Sequence, residues 1–136
     1  MDLVKSLHIA ASGMKAQSDR LRIVSENIAN AESVGQHPGD QPYRRKTITF
    51  KNELDREMGI HKVEVSDYGT DKTPFQRKYE PSHPAADPQG YVLQPNVNSM
   101  MEMMDMREAR RGYESNMNII EVSKAMLQQT IGLLNQ

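Results

Sequence analysis

The residues best suited to proton transfer or metal ligation are His8, His37, His61 and His83, and each stands alone in the sequence. A zinc site would have to gather three of them across loops, whereas surface or turn histidines need no such gathering. His83 and Asp87 with a serine would supply the base, the orienting carboxylate and the nucleophile of a hydrolase. No G-x-S-x-G, G-x-x-x-x-G-K, H-E-x-x-H or G-x-G-x-x-G pattern accompanies them. Those patterns are what hold a nucleophile, a phosphate or a metal in defined geometry. With no Cys, there is also no disulfide framework, thiolate zinc site or cysteine nucleophile. The expectation is a protein without catalytic residues, metal or cofactor.

The charged candidates point elsewhere. Tyr43-Arg44-Arg45-Lys46 with Lys51 is the strongest basic run. It suits an acidic partner or a phosphate, or else a solvated strand balanced by Glu53, Asp55 and Glu57. Arg107, Arg110 and Arg111 form a second cluster, for which Glu114 and Glu108 supply helix-surface partners. The 136-residue chain carries 17 basic and 18 acidic side chains, a formal charge of −1. A nucleic-acid binder would concentrate a basic excess on one face, so none is expected as partner. Uninterrupted apolar runs reach three residues (Ile9–Ala11 and Ala125–Leu127), against the roughly 20 needed to cross a bilayer. Neither membrane insertion nor a cleaved signal peptide is expected.

The elements that must position these groups are legible from proline. All seven prolines lie between Pro38 and Pro95, leaving both ends free to form continuous helix. Near the N-terminus, Leu3, Leu7, Ala10, Met14, Gln17, Leu21, Val24 and Ile28 follow a heptad seam broken at Gln17, and Ile9, Ala16 and Ile23 widen it. Near the C-terminus, Met106, Tyr113, Ile120, Leu127 and Leu134 recur every seven residues beside Gly112, Ile119, Met126 and Leu133. The column Ala109, Asn116, Ser123 and Thr130 is small, so another backbone can approach there, while the large columns are expected to supply buried area. Helices of on the order of 40 and 55 Å exceed what the short middle can cover. The surplus apolar surface is expected to lie between subunits, with the ends ordering on assembly.

The middle reads as a loop over 30–41, then short strands at Tyr43–Phe50, Ile60–Val65, Phe75–Tyr79 and Tyr91–Leu93. Turns are expected at Asp67-Tyr68-Gly69 and Asp87-Pro88-Gln89-Gly90, and an extended stretch over Pro81–Pro88. The fold class is mainly α with a β-rich insert (α+β). An N-terminal helix segment (1–34) and a C-terminal one (99–136) form an antiparallel coiled-coil-like pair around an irregular β domain (35–98). Met100, Met101, Met103, Met104 and Met106 occupy too many helical directions for one seam. They serve either chemically varied outside neighbours or a loosely specified core.

Ser12-Gly13-Met14 followed by Ser25-Glu26-Asn27-Ile28-Ala29-Asn30-Ala31 resembles the N-terminal signature of the flagellar axial proteins. Pro42-Tyr43-Arg44-Arg45-Lys46, Tyr79-Glu80-Pro81, His83-Pro84, Ala86-Asp87, Gly90-Tyr91-Val92, Pro95-Asn96-Val97-Asn98, Glu102-Met103 and Asp105-Met106 narrow the resemblance to the basal-body rod members. The loop from Ala31 to Asp40 departs from the family's pattern. The resemblance implies a structural subunit of the proximal rod in the periplasm, packed helically with itself and other rod proteins to transmit torque. It also implies passage through the flagellar type III export apparatus without a cleaved signal. Asn27, Asn30, Tyr43, Arg44, Arg45, Asn96 and Asn98 are then family-signature residues. Leu3, Leu7, Met14, Leu21, Val24, Ile28, Met103, Met104, Met106, Tyr113, Ile120, Leu127 and Leu134 are helix-packing or subunit-interface residues. A soluble helical adaptor or secretion chaperone using the same seams is the rival reading.

Overall fold

Residues 2–136 are described by a computed structural model of the chain. They form α1 (Leu3–Ala29), β1 (Lys46–Asp55), β2 (Ile60–Thr70), β3 (Gln76–Tyr79), β4 (Tyr91–Gln94) and α2 (Ser99–Leu134). This is the expected α+β architecture, with long terminal helices and two small two-stranded sheets, β1-β2 and β3-β4. Side-chain oxygens cap both helices at the start. The Asp2 carboxylate accepts from the Val4 N–H at 3.0 Å, and Asn98 Oδ1 accepts from the N–H groups of Met100 and Met101.

The chain divides into two compact units. The first comprises Met1–Leu21, Thr49–Asp67 and Arg107–Gln136. In it, a Cβ on Gly13 would lie 2.8 Å from Asn116 Nδ2, and one on Gly112 would lie 3.2 Å from Gln17 Cδ. Arg20 meets Glu108 at 3.5 Å. Numbers fall on one helix as they rise on the other, so the two run antiparallel. Each helix fills the notch above the other's glycine with an amide side chain, which brings the axes close.

That approach reverses the expected division of labour along α2. The small column holds the deepest positions, Ala109 at 0% exposure and Ser123 also buried, with Asn116 half-buried and Thr130, near the helix end, exposed. Met106, Tyr113, Ile120 and Leu127 flank it, half-buried, while Ile119, Met126, Leu133 and Leu134 (81%) are exposed. Short side chains bring backbones together, and bulkier ones one step round the helix are then pushed to the flanks. Leu3, Leu7, Met14 and Leu21 are half-buried, and Ala10 and Ala16 are buried. In this unit only Val4 and Ile9 leave large apolar surface open on α1. The surplus expected on both helices is thus concentrated on α2.

The same unit holds the tip of the β1-β2 hairpin. The turn sits at Asp55–Gly59, where Asp55 Oδ1 accepts from the Glu57 and Met58 N–H groups. Asp55 also pairs with Lys62, which holds its carboxyl below the usual aspartate value. The turn expected at Asp67-Tyr68-Gly69 is instead part of β2. A tyrosine suits a strand as well as a bend, and β1 continues beside β2 as its pairing partner.

The second unit comprises Arg22–Ile48 and Tyr68–Met106. Here β3 and β4 pair antiparallel, Gln76 opposite Gln94 and Tyr79 opposite Tyr91, with Val92 buried. The Asp87–Gly90 turn forms as expected, with Gly90 at φ 88° and Asp87 Oδ1 accepting from the Gln89 and Tyr91 N–H groups. The proline stretch, expected to be extended, makes two successive turns, from Glu80 to His83 and from His83 to Ala86, each closed at 3.0 Å. Pro81 and Pro84 occupy the second position of each, where a fixed φ near −65° favours turning. β1 starts at Lys46, three residues later than expected, because Tyr43, Arg44 and Arg45 are held by side-chain contacts described next.

Candidate functional site

The most heavily interconnected part of the second unit is a buried polar cluster centred on Asn27 (0% exposed) and Glu102 (1%). Asn27 projects from the last turns of α1. Its Oδ1 accepts from the Tyr43 hydroxyl at 2.8 Å and from the Lys46 N–H at 2.9 Å. Its Nδ2 donates to the Lys46 carbonyl at 2.9 Å and to Glu102 Oε2 at 3.3 Å. All four hydrogen-bonding positions of the amide are therefore used. An asparagine fits here because only an amide offers two acceptor sites and two donors to a strand backbone on one side and a carboxylate on the other.

Glu102, in the first turn of α2, takes its second bond from Arg45 Nε, and Arg45 Nη1 lies 3.6 Å from Asp71 Oδ2. The Arg45 N–H donates to Asn96 Oδ1 at 2.7 Å. Asn96 Nδ2 donates to the carbonyls of Asp71 and Thr73, both at 3.0 Å. Arg44 Nη1 reaches the same carbonyls at 2.9 and 3.3 Å while its guanidinium stacks 4.2 Å from the Phe75 ring. The buried Glu102 carboxylate persists because hydrogen bonds surround it and because its partner, the Arg45 guanidinium, is 31% exposed and keeps part of its contact with water. The cluster joins the end of α1, the start of β1, the 71–73 loop and the start of α2.

The surrounding ionisable groups respond to the same contacts. The Thr73 hydroxyl and N–H hold the Asp71 carboxyl below its ordinary value. Lys46, 2.7 Å away, does the same for Glu26. Burial raises the Tyr43 phenol. Both carboxylates release protons more readily folded than unfolded. Their contribution is complete above the unfolded carboxylate value of about 4 and is lost as pH falls through the lowered folded values. The unfolding midpoint in urea, followed by tyrosine fluorescence, is expected to drop as pH falls below about 4.5. Asp71→Asn should flatten that drop, and parallel curves for the two proteins would remove Asp71 as its source.

The family-signature residues all fall in this unit. Asn27, Tyr43, Arg44, Arg45 and Asn96 meet in the cluster. Asn98 caps α2, and Asn30 Nδ2 donates to the Glu26 carbonyl at 2.9 Å where α1 ends. The basic run is not balanced by Glu53, Asp55 and Glu57: Arg45 takes Glu102 and Asp71, Lys46 takes Glu26, and Lys51 alone pairs with Glu53. Along α2, Arg110 pairs with Glu114 at 3.0 Å as expected. Of the packing residues within this unit, Val24 is buried, Ile28 and Met106 are half-buried, and Met103 and Met104 are exposed. Glu102 and Asp71 were not among the residues singled out for a role. Its place inside a methionine run, at a position sharing a helix face with Met106 and Ala109, is the one hint of Glu102's burial.

The hydrolase candidates do not converge. His83 Nδ1 accepts from the Ala85 N–H, while the Asp87 carboxylate takes Arg77 and the turn amides. Among the described residues, no three His, Cys, Asp or Glu side chains are placed to hold a metal ion, and no helix is long and apolar enough to cross a membrane. What the cluster does chemically is hold backbone segments in place through saturated hydrogen bonding.

Two family models match the chain: Flagella basal body rod protein over residues 7–35 and Flagellar basal body rod FlgEFG protein C-terminal over 89–133. The first contains Asn27 and Asn30, and the second contains Asn96, Asn98 and Glu102. Similar proteins span nearly the whole length. The flagellar basal-body rod protein FlgC of Agrobacterium fabrum is 52% identical over 126 residues, covering 93% of this chain and 91% of that protein. The FlgC of Borreliella burgdorferi is 37% identical over 151 residues, covering 98% and 99%. The FlgC of Escherichia coli O157:H7 is 37% identical over 133 residues, covering 98% of each.

Proposed function

Given that the chain belongs to the FlgC family of flagellar basal-body rod proteins, and is a structural rod subunit and not an enzyme, we propose how it works in the rod. It packs helically against copies of itself and other rod proteins, within the periplasm, and carries motor torque. It reaches that position through the flagellar type III export apparatus, without a cleaved signal. The observation that carries this reading is the apolar surface left open along α2: Met100, Met101, Met103 and Met104 near its start, and Ile119, Val122, Met126, Ile131, Leu133 and Leu134 towards its end. Patches of this kind mark contacts with other chains.

The physics of the task fits. A subunit that builds an open helical tube must present two different complementary surfaces, because a self-matching patch closes into a dimer. Torque demands stiffness, and close-packed helices resist sliding and compression. Segments 1–34 and 99–136 are the axial core and 35–98 the β-rich central domain, whose β1-β2 hairpin tip lies in the first compact unit and whose β3-β4 sheet lies in the second. Leu3, Leu7, Met14, Leu21, Val24 and Ile28, with Met106, Tyr113, Ile120 and Leu127, hold the helix pair. Met103, Met104 and Leu134 face neighbours.

Met103→Asp combined with Met104→Asp tests the reading, since it places two charges on a surface meant to lose its water. Both side chains are exposed in the single chain, so the subunit should fold and be exported normally. Rods should be missing from preparations of basal bodies, and swimming should be lost. Normal motility of the double variant would overturn the proposal.

A further inference from the structure

The second unit holds an open cavity of about 460 Å³, lined by Arg22 of α1, Lys46 and Thr47 of β1, and Tyr68 and Thr70 of β2. Among the described lining residues two are cations and none is an acid. Both cations lean on one carboxylate outside the lining, that of Glu26, at 3.2 Å from Arg22 Nη1 and 2.7 Å from Lys46 Nζ. Two positive charges against one negative leave an excess of one. The Arg22 and Lys46 side chains are 54% and 46% exposed, so a group arriving from outside can reach them. Arg22 spends Nη1 on Glu26, which leaves the Nε and Nη2 edge of its fork open. Its guanidinium carbon lies 5.6 Å from the Tyr68 ring centre, a contact that limits how the fork turns.

We propose that in the assembled rod this cavity seats an aspartate or glutamate side chain of a neighbouring subunit. The open edge of Arg22 donates two parallel N–H bonds to its carboxylate, the strongest pairing an arginine makes, and Lys46 adds its ammonium as a point charge. An excess of one positive charge matches one carboxylate, whereas a phosphate dianion would exceed it. Partial enclosure by Tyr68, Thr47 and Thr70 keeps some water away, which strengthens the attraction over that of a bare surface pair. Arg22 and Glu26 stand near the end of α1, so the cavity is complete only once that helix has formed. The contact therefore belongs to the assembled state, and it rests on the rod packing proposed above.

Isolated basal bodies test it, because the cavity is then whole. A water-soluble carbodiimide joins an amine to a carboxylate in contact with it. In basal bodies carrying Glu26→Gln, where the internal carboxylate no longer captures Lys46, the reagent should link Lys46 to an Asp or Glu of a second chain. Peptide mass spectrometry of a band of raised mass reads the link. The chain present in basal bodies with Lys46 joined to no second chain would overturn the cavity assignment alone. A wild-type chain missing from basal bodies would overturn the rod reading beneath it. Dissociation rates separate an external carboxylate from a purely local role. Heated rods carrying Arg22→Gln should come apart about tenfold faster than wild type, and Arg22→Lys, which keeps the charge but not the fork, should fall between. Glu26→Gln breaks the same internal pair yet raises the cavity's excess charge to two, so those rods should last at least as long as wild type. Equal loss in Arg22→Gln and Glu26→Gln would mean that the cations serve Glu26 alone, and a wild-type rate in Arg22→Gln would mean that nothing is held there; either result overturns the proposal. Wild-type rods that release inorganic phosphate on denaturation, with no second chain linked in the carbodiimide experiment, would replace the side chain with a free anion and overturn it too.

Discussion

Asn27→Asp is expected to lower the stability of the second unit by about 4 kcal/mol, more than Asn27→Ala at about 3 kcal/mol, although aspartate is nearly the same shape. The Oδ1 side of the site tolerates the change, since a carboxylate also accepts from the Tyr43 hydroxyl and the Lys46 N–H. The Nδ2 side does not. There the new oxygen would face the Lys46 carbonyl, now 2.9 Å from a donor, and Glu102 Oε2 at 3.3 Å, with no water between them. Two donated hydrogen bonds become two acceptor-acceptor contacts, one between like charges. The alanine variant merely leaves its partners unsatisfied. The order of the two variants is therefore diagnostic, and Asn27→Ala being the worse would refute the assignment of the amide's orientation. Adding Glu102→Gln should recover part of the loss, because it removes the like charge while keeping an acceptor for Arg45. Lower pH should narrow the gap between the two single variants, since a proton shared between adjacent carboxyls relieves their repulsion. Urea unfolding read by tyrosine fluorescence suits the test, with Tyr43, Tyr68, Tyr79 and Tyr91 all in this unit.

Gly13→Leu should cost the first unit about 3 kcal/mol, by forcing the helices apart where Asn116 fills the notch. Gly13→Ala separates this effect from helix propensity. Alanine gains about 1 kcal/mol in an exposed helix, yet here its Cβ would lie 2.8 to 3.1 Å from the Asn116 amide. Asn116 can turn away only by giving up its bond to the Gly112 carbonyl at 3.0 Å. The two terms nearly cancel, so the alanine variant should sit close to wild type in thermal unfolding by circular dichroism. In an Asn116→Ala background the notch is empty and Gly13→Ala should become stabilising by about 1 kcal/mol. An unchanged effect of Gly13→Ala in the two backgrounds would mean that the glycine has no role in helix approach. The same reasoning places Gly112 against Gln17, whose buried Oε1 has no hydrogen-bond partner. The polar break in an otherwise apolar seam is the amide half of a second notch.

The sequence by itself determined the helices, because proline confined to the middle forbids continuous helix there and heptad spacing demands it at both ends. It also determined the Asp87–Gly90 turn, the near-continuous family resemblance, and an apolar surplus too large for the middle to cover. Only the tertiary structure decided which of three neighbouring columns on α2 goes deepest. Periodicity sets the phase of an apolar stripe, but depth depends on the partner's shape, and Gly13 and Gly112 draw the small column inward. The partners of Arg45 and Lys46 were equally illegible: nearby carboxylates at 53–57 share a stretch of chain with them, whereas Glu102 and Asp71 reach Arg45 only once α2 and the 71–73 loop have come home. Likewise Pro81 and Pro84 each fix a φ compatible with extended chain or turn. Backbone hydrogen bonds to the Glu80 and His83 carbonyls, available only when the chain doubles back, choose the turn.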